Sequence, residues 1–154
     1  HGDREAVAVY PSDEVRAVIE KTAHTPYRLV PAGERVAASA VLTSSGTMSL
    51  RCALAGVPGA VVYRTDPLTY LIGRMVVKVP HLGIANLLLG ETMYPEYIQG
   101  AASPARLAAQ LHASVRDAAR IAVTQDQAAR LRALLSEPAH GSVGEWLAGH
   151  LGAT

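Results

Sequence analysis

Residues 40–64 read AVLTSSGTMSLRCALAGVPGAVVYR. Residues 40–43 form a short, largely apolar run of the kind found in buried parallel strands. A helix is predicted over residues 47–56, because it starts after small polar residues and ends on a glycine with Pro58 close behind. Residues 59–64 predict a second strand. The stretch is therefore predicted to form a β-α-β unit.

Strand and helix patterns alternate on both sides of this unit. Apolar runs predict strands at residues 6–10, 27–30 and 82–86, and helices are predicted at residues 12–23, 33–39 and 67–77. From Ser103, an N-cap followed by Pro104, the pattern is helical to about residue 135, as one helix or two, and residues 141–151 predict a closing helix. This order predicts a single α/β domain over residues 1–154: a Rossmann-like, doubly wound parallel sheet with C-terminal helices.

Composition argues against several classes of function. The chain has 154 residues, of which 49% are hydrophobic and 18% charged, as expected of a soluble globular domain. A net charge of +1, one Trp and no Phe argue against nucleic-acid binding. Cys52 is the single cysteine, and the histidines have no metal-ligand spacing. We therefore expect no metal, no cofactor, no membrane-spanning helix and a reducing, cytoplasmic compartment.

A loop of small polar residues, Ser44-Ser45-Gly46-Thr47, lies between the first strand and the helix of the β-α-β unit. Backbone N–H groups at the start of a helix bind phosphate, and Gly46 lets an anion approach closely. The loop therefore suits a diphosphate. The alternative is a tight turn that only caps the helix, since short motifs often occur without function.

Seven short segments stand along the chain in a specific order and spacing. They are residues 44–50 (SSGTMSL), 55–58 (AGVP), 62–64 (VYR), 67–69 (PLT), 76–80 (VVKVP), 85–90 (ANLLLG) and 95–99 (PEYIQ). Together they resemble the C-terminal domain of the lipid-A-disaccharide synthase family over most of the chain. The resemblance implies an inverting glycosyltransferase related to the two-domain GT-B fold, whose C-terminal domain binds a UDP-sugar.

The resemblance also implies the substrates and the place of action. The family joins UDP-diacylglucosamine to diacylglucosamine phosphate and releases UDP, a step of lipid A biosynthesis at the cytoplasmic face of the inner membrane. The donor belongs to the C-terminal domain and the acceptor to the N-terminal domain. The expected partners are therefore these two lipid substrates, with peripheral contact with the inner membrane as a further expectation.

Eight residues match positions that the family places around the UDP-sugar: Ser45, Gly46, Thr47, Tyr63, Arg64, Asn86, Glu96 and Gln99. The first three match the loop beside the diphosphate, and the next two match the strand end that follows it. The Arg64 guanidinium suits an anionic group, and Glu96 suits ribose or sugar hydroxyls. The amides of Asn86 and Gln99 suit a polar ring edge. The resemblance assigns no catalytic residue to this chain.

Each of the four polar matches has a structural alternative. In these alternatives, Asn86 caps a turn and Arg64 pairs with Asp66. Glu96 would begin a helix after a proline, and Gln99 would be solvated. Taken one residue at a time, these alternatives are as well supported as ligand binding.

The chain departs from the family in three respects. Arg51 stands where the family usually has a Glu that accepts from the donor's ribose, and a guanidinium cannot accept. Three alternatives follow for Arg51: it contacts a phosphate instead, the contact with the ribose is lost, or the side chain points to solvent. Residues 83–86 (GIAN) replace the usual Leu-Pro before the Asn. The N-terminal acceptor domain, with the expected base, is absent from these 154 residues, so we expect the isolated chain to be inactive and sequence to be missing upstream.

Other functions remain open at this point. One alternative is a non-catalytic nucleotide-binding or interaction module. Another is half of a different UDP-sugar transferase or epimerase.

Tyr70, Arg74 and Lys78 recur at helical spacing and form either a basic face for an anionic membrane or one side of an ordinary surface helix.

Overall fold

The structure of the protein is a computed structural model. It describes residues 5–22, 26–44, 46–65, 80–137 and 141. The chain divides into two compact units, His1–Ala37 and Ala38–Thr154. The predicted helices at residues 67–77 and 141–151 lie outside the described residues, as do Tyr70, Arg74 and Lys78.

The first unit is a small β-α-β motif. Strand β1 (Val7–Tyr10) and strand β2 (Arg28–Pro31) pair in parallel, and helix α1 (Asp13–Thr22) connects them. Ser12 accepts from the backbone N–H of Val15 at 3.5 Å. Parallel strands require a crossover connection, which this helix provides. The predicted strands and first helix of this part are confirmed to within a few residues.

The predicted helix at residues 33–39 is wrong. Gly33 has φ 110°, and a bridge between Ala32 and Glu34 encloses it in a turn. Residues 35–38 have no regular structure. Gly33 itself is therefore outside the right-handed helical region, and no helix follows it.

The second unit contains a three-stranded parallel sheet in the order β3-β4-β5. Its elements within the described residues are β3 (Val41–Thr43), α2 (Thr47–Leu54), β4 (Gly59–Tyr63), α3 (Ile84–Leu89), β5 (Glu96–Ile98), a 3-10 turn (Gln99–Ala101), α4 (Pro104–Arg116) and α5 (Ala118–Ser136). The β-α-β unit predicted from residues 40–64 is confirmed, with α2 ending before Gly56, whose φ is 69°. The long C-terminal helical pattern forms two helices, separated by Asp117, which accepts from the N–H of Arg120 at 3.1 Å.

The core of this unit lies between the sheet and α2, α3 and α5, which contact one another. Its buried members are Ala53, Val61, Ala85, Met93, Tyr94, Ala128 and Leu131. Ala60, next to Val61, is also fully buried and points to the opposite face of β4. Helix α4 contacts β3 and β4, and Gln110 donates to the carbonyl of Gly59 at 3.4 Å. Helices therefore pack on both faces of the sheet, and the predicted α/β, Rossmann-like class is confirmed.

The predicted strand at residues 82–86 is also wrong. Residues 84–89 form helix α3, which ends at Gly90 with φ 68°. The amides of Leu82 and Gly83, just before this helix, donate to the carboxylate of Glu96. Glu96 thus binds the two amides that precede the helix, and its carboxylate at the positive end of α3 favours the helical form.

Candidate functional site

The site is built at the carboxyl edge of the three-stranded sheet. Thr43, the last residue of β3, is in register with Val61 of β4, and Val61 is in register with Glu96 of β5. These three residues form one row across the sheet and, as parallel neighbours in register, point to the same face. The loops after β3 and β4 and the turn after β5 therefore leave the sheet at a common edge, where α/β sheets bind ligands.

The first of these loops leads into α2. Gly46 is the N-cap of α2, has φ 122° and ψ −163°, and faces open space. It has no side chain to accept from the first-turn amides, and Thr47 beside it is exposed. Buried Ser49 donates to the carbonyl of Gly46 at 2.6 Å and fixes the turn. Ser45 lies outside the described residues. The start of α2 is thus accessible to an anion on its positive end.

The second loop follows β4. Tyr63 is the last residue of β4 and is 37% exposed, and Arg64 after it is exposed. The Asp66 partner considered for Arg64 lies outside the described residues. The next residue, Thr65, is bound at both of its backbone groups, the N–H and the carbonyl, by the Gln99 side chain. Its N–H donates to Gln99 Oε1 at 3.2 Å, and its carbonyl accepts from Gln99 Nε2 at 2.9 Å.

Gln99 follows β5 and has φ 51°, the one positive φ of a non-glycine residue among the described positions. The side chain is half-buried and, through its two bonds to Thr65, is directed into the protein. Gln99 is therefore not the simply solvated side chain of its structural alternative. A direct contact of Gln99 with a ligand stays a prediction.

Asn86 lies in α3 and is fully buried. Its Oδ1 accepts from the N–H groups of Met93 and Tyr94 at 3.0 and 2.9 Å. Its Nδ2 donates to the carbonyl of Tyr94 at 2.7 Å and to Glu96 Oε1 at 2.9 Å. All four hydrogen-bonding positions of the amide are occupied by protein groups. Asn86 thus holds the turn before β5, as its structural alternative states, and its contact with a ligand stays a prediction.

Glu96 is the first residue of β5, not of a helix, and its side chain is 12% exposed. Oε1 accepts from Leu82 N–H at 3.1 Å, from Gly83 N–H at 2.9 Å and from Asn86. Oε2 accepts from Leu82 N–H at 2.9 Å. The Leu82 N–H is shared between the two oxygens, so three donors bind the carboxylate. A carboxylate accepts about four hydrogen bonds, so Oε2 retains capacity for a ligand hydroxyl.

The described site residues thus fall into two groups. Gly46, Thr47, Tyr63 and Arg64 present accessible groups at the carboxyl edge, whereas Asn86, Glu96 and Gln99 bind neighbouring protein segments. Sequence reasoning missed the segments that they bind, namely Leu82–Gly83 and Thr65. No local signal identifies these partners, because each bond is made by a backbone group.

Two further residues of α2, Arg51 and Cys52, bear on the chemistry of the site. Arg51 is exposed in the last turn of α2, where a cation interacts favourably with the helix dipole, and this position agrees with the solvent-facing reading. Cys52 packs against the core, and burial raises the pKa of its thiol. The thiol is therefore protonated at neutral pH and is unsuited to act as a nucleophile.

The described residues contain neither a cluster of metal ligands nor a membrane-spanning helix. Among these residues no three His, Cys, Asp or Glu side chains are arranged to hold a metal ion. None of the described helices combines the length and apolar character needed to cross a membrane.

The chain is similar to proteins of one family. A family model described as lipid-A-disaccharide synthetase matches residues 27–147. The lipid-A-disaccharide synthase of Syntrophus aciditrophicus is 43% identical over 102 residues, which are 66% of this chain and 27% of that protein. That of Nitrosococcus oceani is 34% identical over 123 residues, 78% and 32% of the two chains. That of Neisseria gonorrhoeae is 40% identical over 101 residues, 66% and 26%. The matched part spans about a quarter to a third of these relatives.

Proposed function

The chain belongs to the lipid-A-disaccharide synthetase family, and from this premise we propose that it is the UDP-sugar-binding part of such an enzyme. The observation that carries the proposal is that three parallel strands end toward one edge of the sheet, β3 at Thr43 and the paired strands β4 and β5 at Tyr63 and Ile98. The donor is UDP-diacylglucosamine and the acceptor is diacylglucosamine phosphate. The chain then acts in lipid A biosynthesis on the cytoplasmic side, in peripheral contact with the inner membrane.

The accessible groups of the edge suit the diphosphate of the donor. Gly46 leaves room beside the first turn of α2, whose amide donors and positive dipole favour an anion. Thr47 adds a hydroxyl, and Ser45 belongs to the same loop by sequence. Arg64 adds a cation able to make charge-assisted hydrogen bonds to phosphate oxygens, and Tyr63 stands beside it.

The less exposed residues complete the proposed donor region. Glu96 Oε2 has capacity to accept from a ribose or sugar hydroxyl while Oε1 stays bound to the protein. Asn86 fixes the position of that carboxylate, and Gln99 fixes the segment after Arg64. These eight residues are the proposed donor site.

The proposed reaction is a single displacement with inversion. An acceptor hydroxyl, deprotonated by a base outside this chain, attacks the anomeric carbon of the donor, and the bond from that carbon to the UDP oxygen breaks. The negative charge that develops on the diphosphate is stabilised by the start of α2 and by Arg64. This chain therefore supplies leaving-group stabilisation.

The proposal is tested by titrating the 154-residue chain with UDP in a thermal-shift assay, with AMP as the control nucleotide. Ligand at 100 times its dissociation constant adds about 2.7 kcal/mol of stability, which is a measurable rise in Tm. Arg64→Ala should reduce the shift, because the variant loses the cation without disturbing the core. Arg106→Ala, at an exposed position of α4, is the matched control and should bind as the parent does.

The outcomes separate the candidate functions. A UDP-specific shift that Arg64→Ala weakens supports the donor site. Equal shifts with acylated and unacylated UDP-sugars would favour another UDP-sugar transferase or epimerase. A chain that melts cooperatively and gives no shift with UDP would overturn the proposal and favour an interaction module.

A further inference from the structure

The side chain of Gln99 joins the ends of two neighbouring strands. The ladder between β4 and β5 ends at the pair Tyr63 and Ile98. Beyond this pair, the Gln99 carboxamide accepts from Thr65 N–H at 3.2 Å and donates to the Thr65 carbonyl at 2.9 Å. A side chain thus continues the pairing that the two backbones no longer make.

Arg64 stands between these two fixed points. Tyr63 on one side is held by the sheet, and Thr65 on the other is held by Gln99. The backbone of Arg64 is therefore fixed at both ends although its side chain is exposed. A long, flexible side chain delivers its charge to a defined place only if its backbone is fixed.

The backbone of Gln99 is itself in an uncommon conformation. Its φ of 51° is left-handed, and non-glycine residues adopt this region infrequently. Such conformations persist where the surroundings over-determine them, and they cluster at functional sites. With this left-handed turn after β5, the carboxamide bonds both backbone groups of Thr65.

We propose that Gln99 is a positioning residue that fixes the backbone beside Arg64, and that it acts on the donor through Arg64 and not by contact with the sugar. The inference rests on the proposed function, since it assigns Arg64 to the UDP diphosphate. Gln99→Met removes both polar atoms at nearly constant length. Gln99→Asn keeps an amide and tolerates left-handed φ, but is one methylene too short to reach Thr65.

The first measurement is amide hydrogen exchange of the full 154-residue chain by NMR. Gln99→Met and Gln99→Asn should both accelerate exchange of the Thr65 amide, by about tenfold or more, because its acceptor is lost. Gln125→Met, which makes the same change at an exposed position of α5, is the matched control and should leave Thr65 unchanged. Unaltered exchange in both Gln99 variants would overturn the proposal whatever the chain binds.

The second measurement is a double-mutant cycle on UDP affinity by calorimetry. Gln99→Met alone should weaken binding by about tenfold, and in the Arg64→Ala background it should have little further effect. Equal loss in both backgrounds would show that Gln99 contacts the ligand itself and would overturn the positioning role. If the parent chain binds no UDP, the proposed function fails, and Thr65 exchange alone then decides whether Gln99 fixes this segment.

Discussion

Asn86 Nδ2 donates to Glu96 Oε1 over 2.9 Å, and this bond joins helix α3 to the first residue of strand β5. Asn86 is fully buried, and the Glu96 side chain is 12% exposed. The same carboxylate accepts from the backbone at Leu82 and Gly83, whereas the amide also binds Met93 and Tyr94. Two side chains thus fix the segments on both sides of α3.

Asn86→Leu should be strongly destabilising. The substitution leaves the N–H groups of Met93 and Tyr94 without their acceptor and removes a donor from Glu96. Each buried polar group that loses its partner costs about 1–3 kcal/mol, so a total loss of about 3 kcal/mol or more is expected. Urea denaturation measures it as a lower midpoint. Leu87→Ala, at a position that is 42% exposed on the same helix, should cost far less, and equal losses would contradict the prediction.

Gly83→Ala should destabilise the same region by steric contact. An added Cβ would lie 3.3 Å from Glu96 Oε1 and 3.3 Å from Val61 Cγ2, in a buried and already packed place. Overpacking of this kind typically costs about 1–3 kcal/mol. Gly100→Ala places the same methyl group where no atom lies within 4 Å and should be close to neutral in thermal unfolding. A Gly83→Ala protein as stable as Gly100→Ala would refute the argument.

Tyr94 should limit stability at alkaline pH. Burial raises the pKa of Tyr94 above its ordinary value of 10.0, and its hydroxyl donates to the Val57 carbonyl. The raised pKa means that the contribution of Tyr94 is complete below about pH 10 and is lost as pH rises further, by up to about 1.4 kcal/mol per pH unit.

Tyr94→Phe separates these two effects. It should cost about 1 kcal/mol at neutral pH through the lost hydrogen bond, yet make the unfolding free energy fall less steeply above pH 10. Urea midpoints at several pH values measure both. Tyr63→Phe, at an exposed tyrosine, should leave the decrease of the unfolding free energy above pH 10 as in the parent. A Tyr94→Phe protein with the same decrease as the parent would contradict the prediction.

Glu91 should contribute to stability in the opposite pH range. Hydrogen bonding from Gln127, at 2.8 Å, and then from Arg130 holds the pKa of Glu91 below its ordinary value of 4.5. The contribution is therefore present above about pH 4.5 and is lost as pH falls below it. Glu91→Gln should lower the urea midpoint at pH 7 and have a smaller effect at pH 3. Glu137→Gln, after the end of α5, is the control, and a Glu91 effect of equal size at both pH values would disprove the assignment.

Local sequence predicted much of the fold correctly. Residues 40–64 encode a β-α-β unit through short apolar strands, a glycine before the helix and a glycine after it, and the structure contains these elements. The error at residues 82–86 has a different origin. The run Leu-Gly-Ile-Ala-Asn fits a buried strand or a buried helix equally well, and Glu96, ten residues beyond Asn86, stabilises the helix start.

In the candidate site, too, the sequence predicted individual residues but not their long-range contacts. The sequence singled out Asn86, Glu96 and Gln99 as polar residues in notable positions, and all three lie at well-defined places in the structure. It did not show that Asn86 and Glu96 bond to each other or that Gln99 binds Thr65, since these partners are 10 and 34 residues apart.

The α/β class, the family and the loop that begins α2 were predictable from the sequence, because these depend on residue types and their spacing. The helix at residues 84–89 and the binding of backbone segments by Asn86, Glu96 and Gln99 depend on the folded arrangement. A hydrogen bond between distant residues forms only once the sheet has set their separation. Neither partner carries a local signal of the other.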